Sequence, residues 1–305
     1  MWLLGYDVNI VWSVLIFFTV FMILYSGIIS LLEEHLPNAV LELFRYGKTL
    51  NGPVRSSLVS LIVVPKSYFT HFYIFSSVFI PMLFYLSFSS YTNTRTQVPP
   101  FVISSLDFVC SSTRSVGTDH SSLLLAMSLL TLQVFRRLYE CVFINQPSNS
   151  TMNITHYIVG FAHYFCTGSG YLCEAPGFIS GSSAVMSSFS VSSLSVTLSL
   201  IFTVAWYHQL EAHKIFANLK IKNSNTHSIP EGSLFQYVSC PHYMCEIIMY
   251  TCLMGILGTS HKTGVLVWAW VTINQVIAAT MSHQWYLTKF EEYPVGRKAI
   301  VPFIW

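Results

Sequence analysis

Residues Asn9–Leu32 read NIVWSVLIFFTVFMILYSGIISLL, an apolar run that contains no charged side chain. A helix needs about 20 apolar residues to cross the hydrocarbon core of a bilayer, so this run predicts a membrane-spanning helix. The rest of the chain agrees, because 53% of its 305 residues are hydrophobic and only 9% are charged. A soluble domain carries about a quarter charged residues. The sequence therefore predicts an all-α integral membrane protein, and its formal net charge of +2 argues against a nucleic-acid partner.

Further apolar segments of helical length follow along the chain. They are Tyr68–Ser90, Ser121–Ile144, Ile154–Cys173, Ala184–Tyr207, Tyr243–Gly258 and Gly264–Met281. Together with the first run they predict about seven transmembrane helices. No internal repeat or low-complexity linker separates them, so residues 1–305 are predicted to form a single multi-pass domain.

Basic residues predict how these spans are oriented. Most Lys and Arg residues follow the odd-numbered spans, namely Arg45, Lys48, Arg55, Lys66, Arg136, Arg137, Lys214, Lys220, Lys222, Lys289, Arg297 and Lys298. Because cytosolic loops carry the excess of Lys and Arg, we expect a luminal N-terminus and a cytosolic C-terminus. The glycosylation sequons at Asn149 and Asn153 would then face the cytosol, and we expect them to be unmodified.

Charged side chains inside apolar spans are costly and usually face a partner or an internal cavity. The segment RRLYE, residues 136–140, is the clearest case. Arg136 and Glu140 are four residues apart and can pair on one helix face. Arg137 would then point elsewhere and could meet an anion, or both arginines could extend to the interface.

The segment after the fifth span is polar but keeps helical spacing. His208, His213 and Asn218 recur along it, which predicts a polar continuation of that helix. A proline-initiated helix follows, on which His242 and Glu246 share one face. No HExxH motif or comparable spacing indicates a metal site, and no GxGxxG or P-loop indicates a Rossmann or P-loop nucleotide site. The seven cysteines show no paired CxxC spacing, and we expect them to be small buried hydrophobic residues.

The C-terminal stretch HQWYLTKFEEYPVGRKAIVPFIW, residues 283–305, concentrates aromatic residues and charges of both signs. Its basic residues could anchor a solvated tail at the inner leaflet. Alternatively, they could bind an anionic ligand at the membrane boundary. The stretch by itself does not decide between these two readings.

Six blocks of sequence together resemble one known family. They are RYGKT (45–49), VPKSYFTHFYIFS (64–76), RRLYEC (136–141), HKIFANLK (213–220), IPEGSLFQYVSCPHYMCEI (229–247) and the C-terminal stretch. In this order, over nearly the whole chain, they are similar to the steroid 5-alpha-reductase superfamily, and most similar to its type 3 branch, the polyprenol reductases. The resemblance implies a seven-helix oxidoreductase of the endoplasmic-reticulum membrane, with a 3-oxo-5-alpha-steroid 4-dehydrogenase-like part at about residues 121–305. It also implies NADPH as cofactor, bound between the cytosolic ends of the helices.

Positions that match the family motifs are implied to bind this cofactor. They are Arg136, Arg137, Glu140, Asn145, His213, Asn218, Lys220, Tyr237, His242, Glu246, His283, Tyr286, Arg297 and Lys298. Lys220 departs from the Arg that the family's Asn-Leu-Arg-Lys run has at this position. An ammonium group cannot bind a phosphate in the bidentate way of a guanidinium group.

The resemblance implies reduction of the alpha-isoprene double bond of polyprenol in dolichol biosynthesis, which supports protein N-glycosylation. A hydride adds readily to an alkene only if the developing negative charge can move onto an electronegative atom. An allylic alcohol offers no such atom, so we favour the aldehyde, polyprenal, as the form of this polyprenoid lipid that is reduced. The donor to its carbonyl remains open among Glu42, Tyr73, Gln133 and Tyr139. The long lipid tail is expected to lie among the spans, in contact with membrane lipids.

Departures from the family pattern leave other functions open. Steroid-reducing members have a Tyr just ahead of the RRLYE-like block, where this chain reads Leu132-Gln133-Val134. A steroid enone reductase would therefore need a replacement for that hydroxyl group. An isoprenylcysteine-type membrane methyltransferase would bind adenosylmethionine instead of NADPH. A transporter would arrange its charges along a path across the midplane, whereas the charges here collect on one predicted side.

Overall fold

The computed structural model describes residues 2–3, 6–37, 40–42, 57–93, 97–145, 150–222 and 227–303. Several features of the sequence lie outside the described residues, namely Arg45, Lys48, Arg55, the block RYGKT and the sequon residue Asn149.

Within these ranges the protein is almost entirely helical. Eight helices are longer than ten residues: α1 (Ile10–Leu32), α2 (Phe69–Thr92), α3 (Pro100–Cys110), α4 (His120–Tyr139), α5 (Ile154–Cys173), α6 (Ser193–Lys222), α7 (Pro241–Leu257) and α8 (Lys262–Lys289). Shorter helical turns are Glu33–His35, Ser57–Ser60, Lys66–Tyr68, Glu140–Ile144 and Ser233–Gln236. The strands are β1 (Trp2–Leu3), β2 (Tyr6–Asp7), β3 (Val63–Pro65) and β4 (Thr151–Asn153).

The strands form two small antiparallel pairs, β1 with β2 and β3 with β4. In the second pair Val63 lies opposite Asn153, and Pro65 lies opposite Thr151. Because β3 precedes α2 and β4 precedes α5, this pair ties together the starts of two helices that are distant in sequence. Asn153 then caps α5, since its side chain accepts a hydrogen bond of 2.9 Å from the Thr155 amide.

Four of the described helical segments are long and apolar enough to cross a membrane. They are Ile10–Leu32, Lys66–Thr92, His120–Ile144 and Lys262–Lys289. The chain is therefore a multi-pass membrane protein. The remaining three predicted spans also form helices, α5, α6 and α7, but they are shorter or more polar.

The predicted and observed helices differ most at α6, which begins at Ser193 and not at Ala184. Serine side chains upstream bond to the backbone and so compete with helix formation. The Ser182 hydroxyl accepts from the Gly177 amide at 2.8 Å, and the Ser183 hydroxyl accepts from the Val185 amide at 3.1 Å. One helix, α3, was not predicted, because its 11 residues are too few for a span.

The helices pack in an order that places α4 at the centre. α4 contacts α2 and α7, while α6 packs along α7, and α8 lies against α7 and α1. The α4 side chains Leu123, Met127 and Leu130 are fully buried. By contrast, α1 leaves much of its apolar surface uncovered, including Leu24 and Leu31, as expected of a helix that faces lipid.

A buried carboxylate joins three helices at one end of the bundle. Glu174, just after α5, accepts hydrogen bonds from the backbone amides of Lys262 (2.7 Å) and Thr263 (2.9 Å) at the start of α8. The Thr263 hydroxyl also donates to Glu174 and accepts from the Trp12 indole of α1 at 2.7 Å. Burial lowers the pKa of the neighbouring His261, so the histidine is neutral at physiological pH.

Candidate active site

At the C-terminal end of α4, polar side chains from four helices meet in the interior. They are Tyr73 from α2, Gln133, Arg136 and Arg137 from α4, Glu140 directly after α4, Gln209 and His213 from α6, and Glu246 from α7. We call this set the polar cluster. Both guanidinium groups contact Glu140, whereas Glu246 accepts hydrogen bonds from the side-chain amides of Gln133 and Gln209.

Arg136 is held at the centre of the polar cluster. Its Nη1 donates to Glu140 Oε1 at 2.5 Å, and its Nη2 donates to Gln133 Oε1 at 2.7 Å and to Gln209. The guanidinium carbon lies 5.3 Å from the centre of the Trp206 ring. Arg136 is 4% exposed and Glu140 is 0% exposed, so the pair predicted from their spacing is a buried one. The alternative in which Arg136 extends to the membrane interface is wrong.

Arg137 also forms hydrogen bonds inside the protein. The sequence predicted that it would point away from Glu140, and this prediction is wrong. Its Nη1 donates to Glu140 Oε2, since residues three apart on a helix are neighbours as well. Its Nη2 and Nε donate to the Tyr73 hydroxyl at 2.7 and 3.2 Å. His213 Nδ1 completes the group, at 2.7 Å from Glu140 Oε2 and 2.8 Å from Arg137 Nη1.

Gln209 is the member of the polar cluster that the sequence analysis missed. Its Nε2 donates to Glu246 Oε2 at 2.5 Å and to the His242 carbonyl at 2.8 Å. Its Oε1 accepts from Gln133 at 3.1 Å and from Arg136. The available signal was its spacing, because a residue four before His213 lies on the same helix face.

The helix changes geometry where it leaves the polar cluster. Residues Glu140–Ile144 form a π-helical turn. Such turns are rare in proteins overall, and those that occur are often found at functional sites. The Asn145 amide closes the turn by donating to the Glu140 carbonyl at 2.7 Å. Asn145 itself is exposed, and its side chain donates to Cys141 Sγ at 3.6 Å.

Residues 283–303 of the C-terminal stretch are folded against the protein and are not a solvated tail. The Ser239 amide donates to the Lys298 carbonyl at 2.7 Å, and the Lys298 amide donates to the Tyr237 carbonyl at 3.1 Å. The Ser239 hydroxyl lies 2.7 Å from His283 Nδ1 and 2.6 Å from the Tyr293 hydroxyl. These contacts bring the end of α8, the C-terminal stretch and the start of α7 together.

Arg297, which was implied to bind a cofactor phosphate, is 6% exposed. Its Nη1 donates to the Pro230 carbonyl at 3.0 Å, and its guanidinium carbon lies 5.1 Å from the Tyr293 ring centre. Tyr293 in turn stacks on Tyr286, with 5.3 Å between ring centres. The structure thus gives Arg297 a place in packing the C-terminal stretch.

The other implied cofactor residues differ in their exposure and contacts. His242 packs edge-on against Phe216 beside His213, with ring centres 5.0 Å apart. Asn218 and Tyr237 are exposed, whereas Lys220 and Lys298 are partly buried.

Of the four candidate donors, Tyr73 and Gln133 belong to the polar cluster, but Gln133 is fully engaged by Arg136, Gln209 and Glu246. Tyr139 is 51% exposed, and Glu42 lies on segment 40–42, outside the helices that form the cluster.

The thiols and potential metal ligands were also located. Six of the seven cysteines are buried and Cys141 is partly buried, which confirms the expectation for these residues. Across the ranges that the structure describes, no group of three or more His, Cys, Asp or Glu side chains is placed to hold a metal ion.

Fold and site together define a multi-pass membrane protein with a buried polar centre at one end of its helix bundle. Comparison with known proteins then identifies the family. A family model described as 3-oxo-5-alpha-steroid 4-dehydrogenase matches residues 150–305. The chain belongs to this family of the steroid 5-alpha-reductase superfamily, whose members are oxidoreductases.

Curated relatives cover nearly the whole chain. It is 33% identical to a polyprenal reductase of Drosophila melanogaster over an alignment 310 residues long. The alignment covers 98% of this chain and 94% of that protein. It is 32% identical to a polyprenal reductase of Xenopus laevis, over 86% of this chain and 84% of that protein. A polyprenal reductase of Homo sapiens is 31% identical, over 91% of this chain and 92% of that protein.

Proposed function

We propose that this protein reduces the alpha-isoprene double bond of polyprenal with NADPH, as a step of dolichol biosynthesis that supports N-glycosylation. The observation that carries the proposal is similarity to polyprenal reductases over 86% to 98% of the chain. The buried polar cluster supports it, because it offers a positioned donor beside a guanidinium group. The names of the relatives agree with the chemical preference for the aldehyde over the alcohol.

Tyr73 is the donor that we assign to the substrate carbonyl. Arg137 directs two N–H groups at the Tyr73 oxygen, which leaves the tyrosine's own O–H proton available to another acceptor. The same guanidinium stabilises negative charge that develops on the tyrosine oxygen as it gives up its proton. Gln133 supports the cluster through Gln209 and Glu246, and we assign it no contact with the carbonyl.

The residues of the site fit a nicotinamide dinucleotide. The carboxylate, carboxamide and guanidinium groups of the polar cluster can hydrogen-bond a carboxamide, and partly buried cations nearby can neutralise phosphates. We propose that the nicotinamide part of the cofactor is held by Arg136, Arg137, Glu140, His213, His242 and Glu246. We propose that the rest of the cofactor, including its phosphates, is held by Asn145, Asn218, Lys220, Tyr237, His283, Tyr286, Arg297 and Lys298. When bound, NADPH supplies the hydride.

We further propose the membrane arrangement. The seven long helices α1, α2, α4, α5, α6, α7 and α8 cross the endoplasmic-reticulum membrane as one domain, residues 1–305. The N-terminus is luminal, and the polar cluster lies at the cytosolic end. Asn153 is 3% exposed and caps α5, so its side chain is inaccessible to glycosylation on either side of the membrane.

The first test is NADPH oxidation by the purified full chain in detergent, with polyprenal, polyprenol and testosterone offered in parallel. We expect turnover with polyprenal. Tyr73→Phe should lower kcat/KM about 10²-fold or more, because positioned proton donors typically contribute that much. The matched control is Tyr85→Phe on the same helix, whose side chain is 71% exposed and should not affect the rate.

Each other outcome has a definite meaning. Turnover with polyprenol alone would refute the argument for the aldehyde. Turnover with testosterone alone would assign the protein to the steroid-reducing members of its family. Absence of NADPH oxidation with all three substrates would contradict the proposed function.

A further inference from the structure

A second pair of titratable side chains, a buried tyrosine and a partly buried histidine, lies deeper in the bundle than the polar cluster. His163 of α5 and Tyr250 of α7 are joined by a hydrogen bond of 2.9 Å between Nε2 and the hydroxyl oxygen. Tyr250 is 2% exposed. Polar groups at such a depth are costly and usually functional, and the proposed function does not yet use this pair.

The pair lies next to the proposed carbonyl donor. Tyr250 follows Glu246 by four residues, so it occupies the same face of α7 about 6 Å further along the helix. Aromatic rings connect the two sites: the ring centre of Tyr164 lies 4.8 Å from that of His163 and 5.9 Å from that of Tyr73.

The hydrogen bonds indicate where the proton of Tyr250 is free to go. His163 Nδ1 is buried and has no hydrogen-bond partner in the parts of the chain that the structure describes. If Nε2 accepted from Tyr250, Nδ1–H would be a buried donor without an acceptor, which is rarer than an unused acceptor. We therefore infer, from the network, that Nε2–H donates to the Tyr250 oxygen. The O–H proton of Tyr250 then remains available to a substrate.

Reduction of a conjugated aldehyde consumes one proton, which must end on the α-carbon, because the carbonyl oxygen of the product carries none. The hydride reaches the β-carbon, and negative charge moves to the carbonyl oxygen, where Tyr73 donates. The enolate must then gain a proton at its α-carbon, and a hydroxyl engaged with the oxygen cannot also serve that carbon.

We propose, on the basis of the proposed function, that Tyr250 is the catalytic residue that protonates the α-carbon, and that His163 is its positioning residue. The enolate electron pair forms the new bond between the α-carbon and hydrogen as the Tyr250 O–H bond breaks. The carbonyl group re-forms at the same time, and the proton that Tyr73 gave to the oxygen returns to Tyr73. The phenolate left on Tyr250 accepts the His163 Nε2–H hydrogen bond until a solvent proton restores the hydroxyl. Overall, polyprenal, NADPH and one proton give the saturated aldehyde and NADP⁺.

The test is the origin and face of the α-hydrogen, measured by NMR after turnover of polyprenal in deuterated water. The wild type should place deuterium on one of the two α-positions of the product. Tyr250→Phe should slow turnover about 10²-fold or more and distribute deuterium over both positions. Tyr91→Phe is the matched control, because its hydroxyl is also buried but bonds to the Pro176 carbonyl at the other end of the bundle. It should keep both the rate and the single labelled position.

A second readout does not need the cofactor. The wild type should exchange one α-hydrogen of the saturated aldehyde with deuterated water, and Tyr250→Phe should lose this exchange. His163→Leu should slow the exchange about tenfold or more, and His163→Gln, whose amide can donate to Tyr250, should restore it. The histidine variants keep the test decisive if Tyr250→Phe does not fold.

Three results would overturn the assignment. They are deuterium on both α-positions in the wild type, single-face labelling retained in Tyr250→Phe, or equal exchange in His163→Leu and wild type. In each case turnover of polyprenal by the wild type would still uphold the proposed function. Failure of the wild type to oxidise NADPH with polyprenal would instead refute that function.

Discussion

Glu140 shows how much of the site depends on one side chain. It is fully buried and accepts hydrogen bonds from Arg136 at 2.5 Å and from Arg137. His213 Nδ1 lies 2.7 Å from its Oε2 atom. A buried ion pair adds little net stability compared with apolar packing, but removal of one partner leaves the other charge uncompensated. Two guanidinium groups depend on this carboxylate.

We therefore predict that Glu140→Gln lowers the free energy of unfolding by about 3–5 kcal/mol. Thermal or denaturant unfolding of the cofactor-free protein in detergent measures the change. The matched control is Glu211→Gln, which removes a 3.0 Å ion pair with Lys214 on an exposed part of α6. Surface pairs contribute about 0–1 kcal/mol, so equal losses in the two variants would contradict the role assigned to Glu140.

At the scale of the element, α5 shows how a neighbouring helix constrains the choice of a residue. A Cβ atom at Gly160 would lie 2.5 to 2.8 Å from three ring atoms of Phe72 on α2. Phe72 is 5% exposed, and its ring packs edge-on against Phe69. The missing side chain thus permits the close approach of α5 to α2 that brings Tyr164 to Tyr73.

Gly160→Ala should lower the free energy of unfolding by about 1–3 kcal/mol, because overpacking forces side chains or backbone to shift. The matched control is Gly27→Ala in α1, where a Cβ would meet nothing within 4 Å. There the higher helix propensity of Ala should leave stability unchanged or raise it by up to about 1 kcal/mol. Unfolding of both variants beside the wild type checks the prediction, and an unchanged Gly160→Ala would contradict the packing described for α5.

The elements also show where sequence patterns suffice. The bounds of α5 were predicted to the residue, and those of α2 within two residues, because apolar runs with clear ends determine them. The start of α6 was placed nine residues too early, since an apolar and serine-rich stretch has the composition of a span. Hydrogen bonds of Ser182 and Ser183 to nearby backbone amides hold that stretch in a loop.

At the scale of the whole molecule, the proposed seven-span arrangement makes a prediction about sidedness. A glycosylation sequon introduced into the loop at 111–119, between α3 and α4, should be modified, because we expect that loop in the lumen. The native Asn149 and Asn153 and a tag at the C-terminus should not be modified. Gel mobility before and after glycosidase treatment measures this. A mass shift in the wild type, which carries only the native sequons, would contradict the proposed topology.

The sequence by itself determined the class of the protein, its family and the contact between Arg136 and Glu140, which are four residues apart. Composition and long apolar runs suffice for a membrane bundle, and one helical turn suffices to pair Arg136 with Glu140. The Tyr73–Arg137 contact joins residues 64 apart, and the Gln133–Glu246 contact joins residues 113 apart. Periodicity predicts which face of a helix is buried but not which neighbour covers it. The packing of α2, α4, α6 and α7 alone decided that the polar cluster forms, because the rotation and depth of each helix depend on side-chain contacts along its whole length.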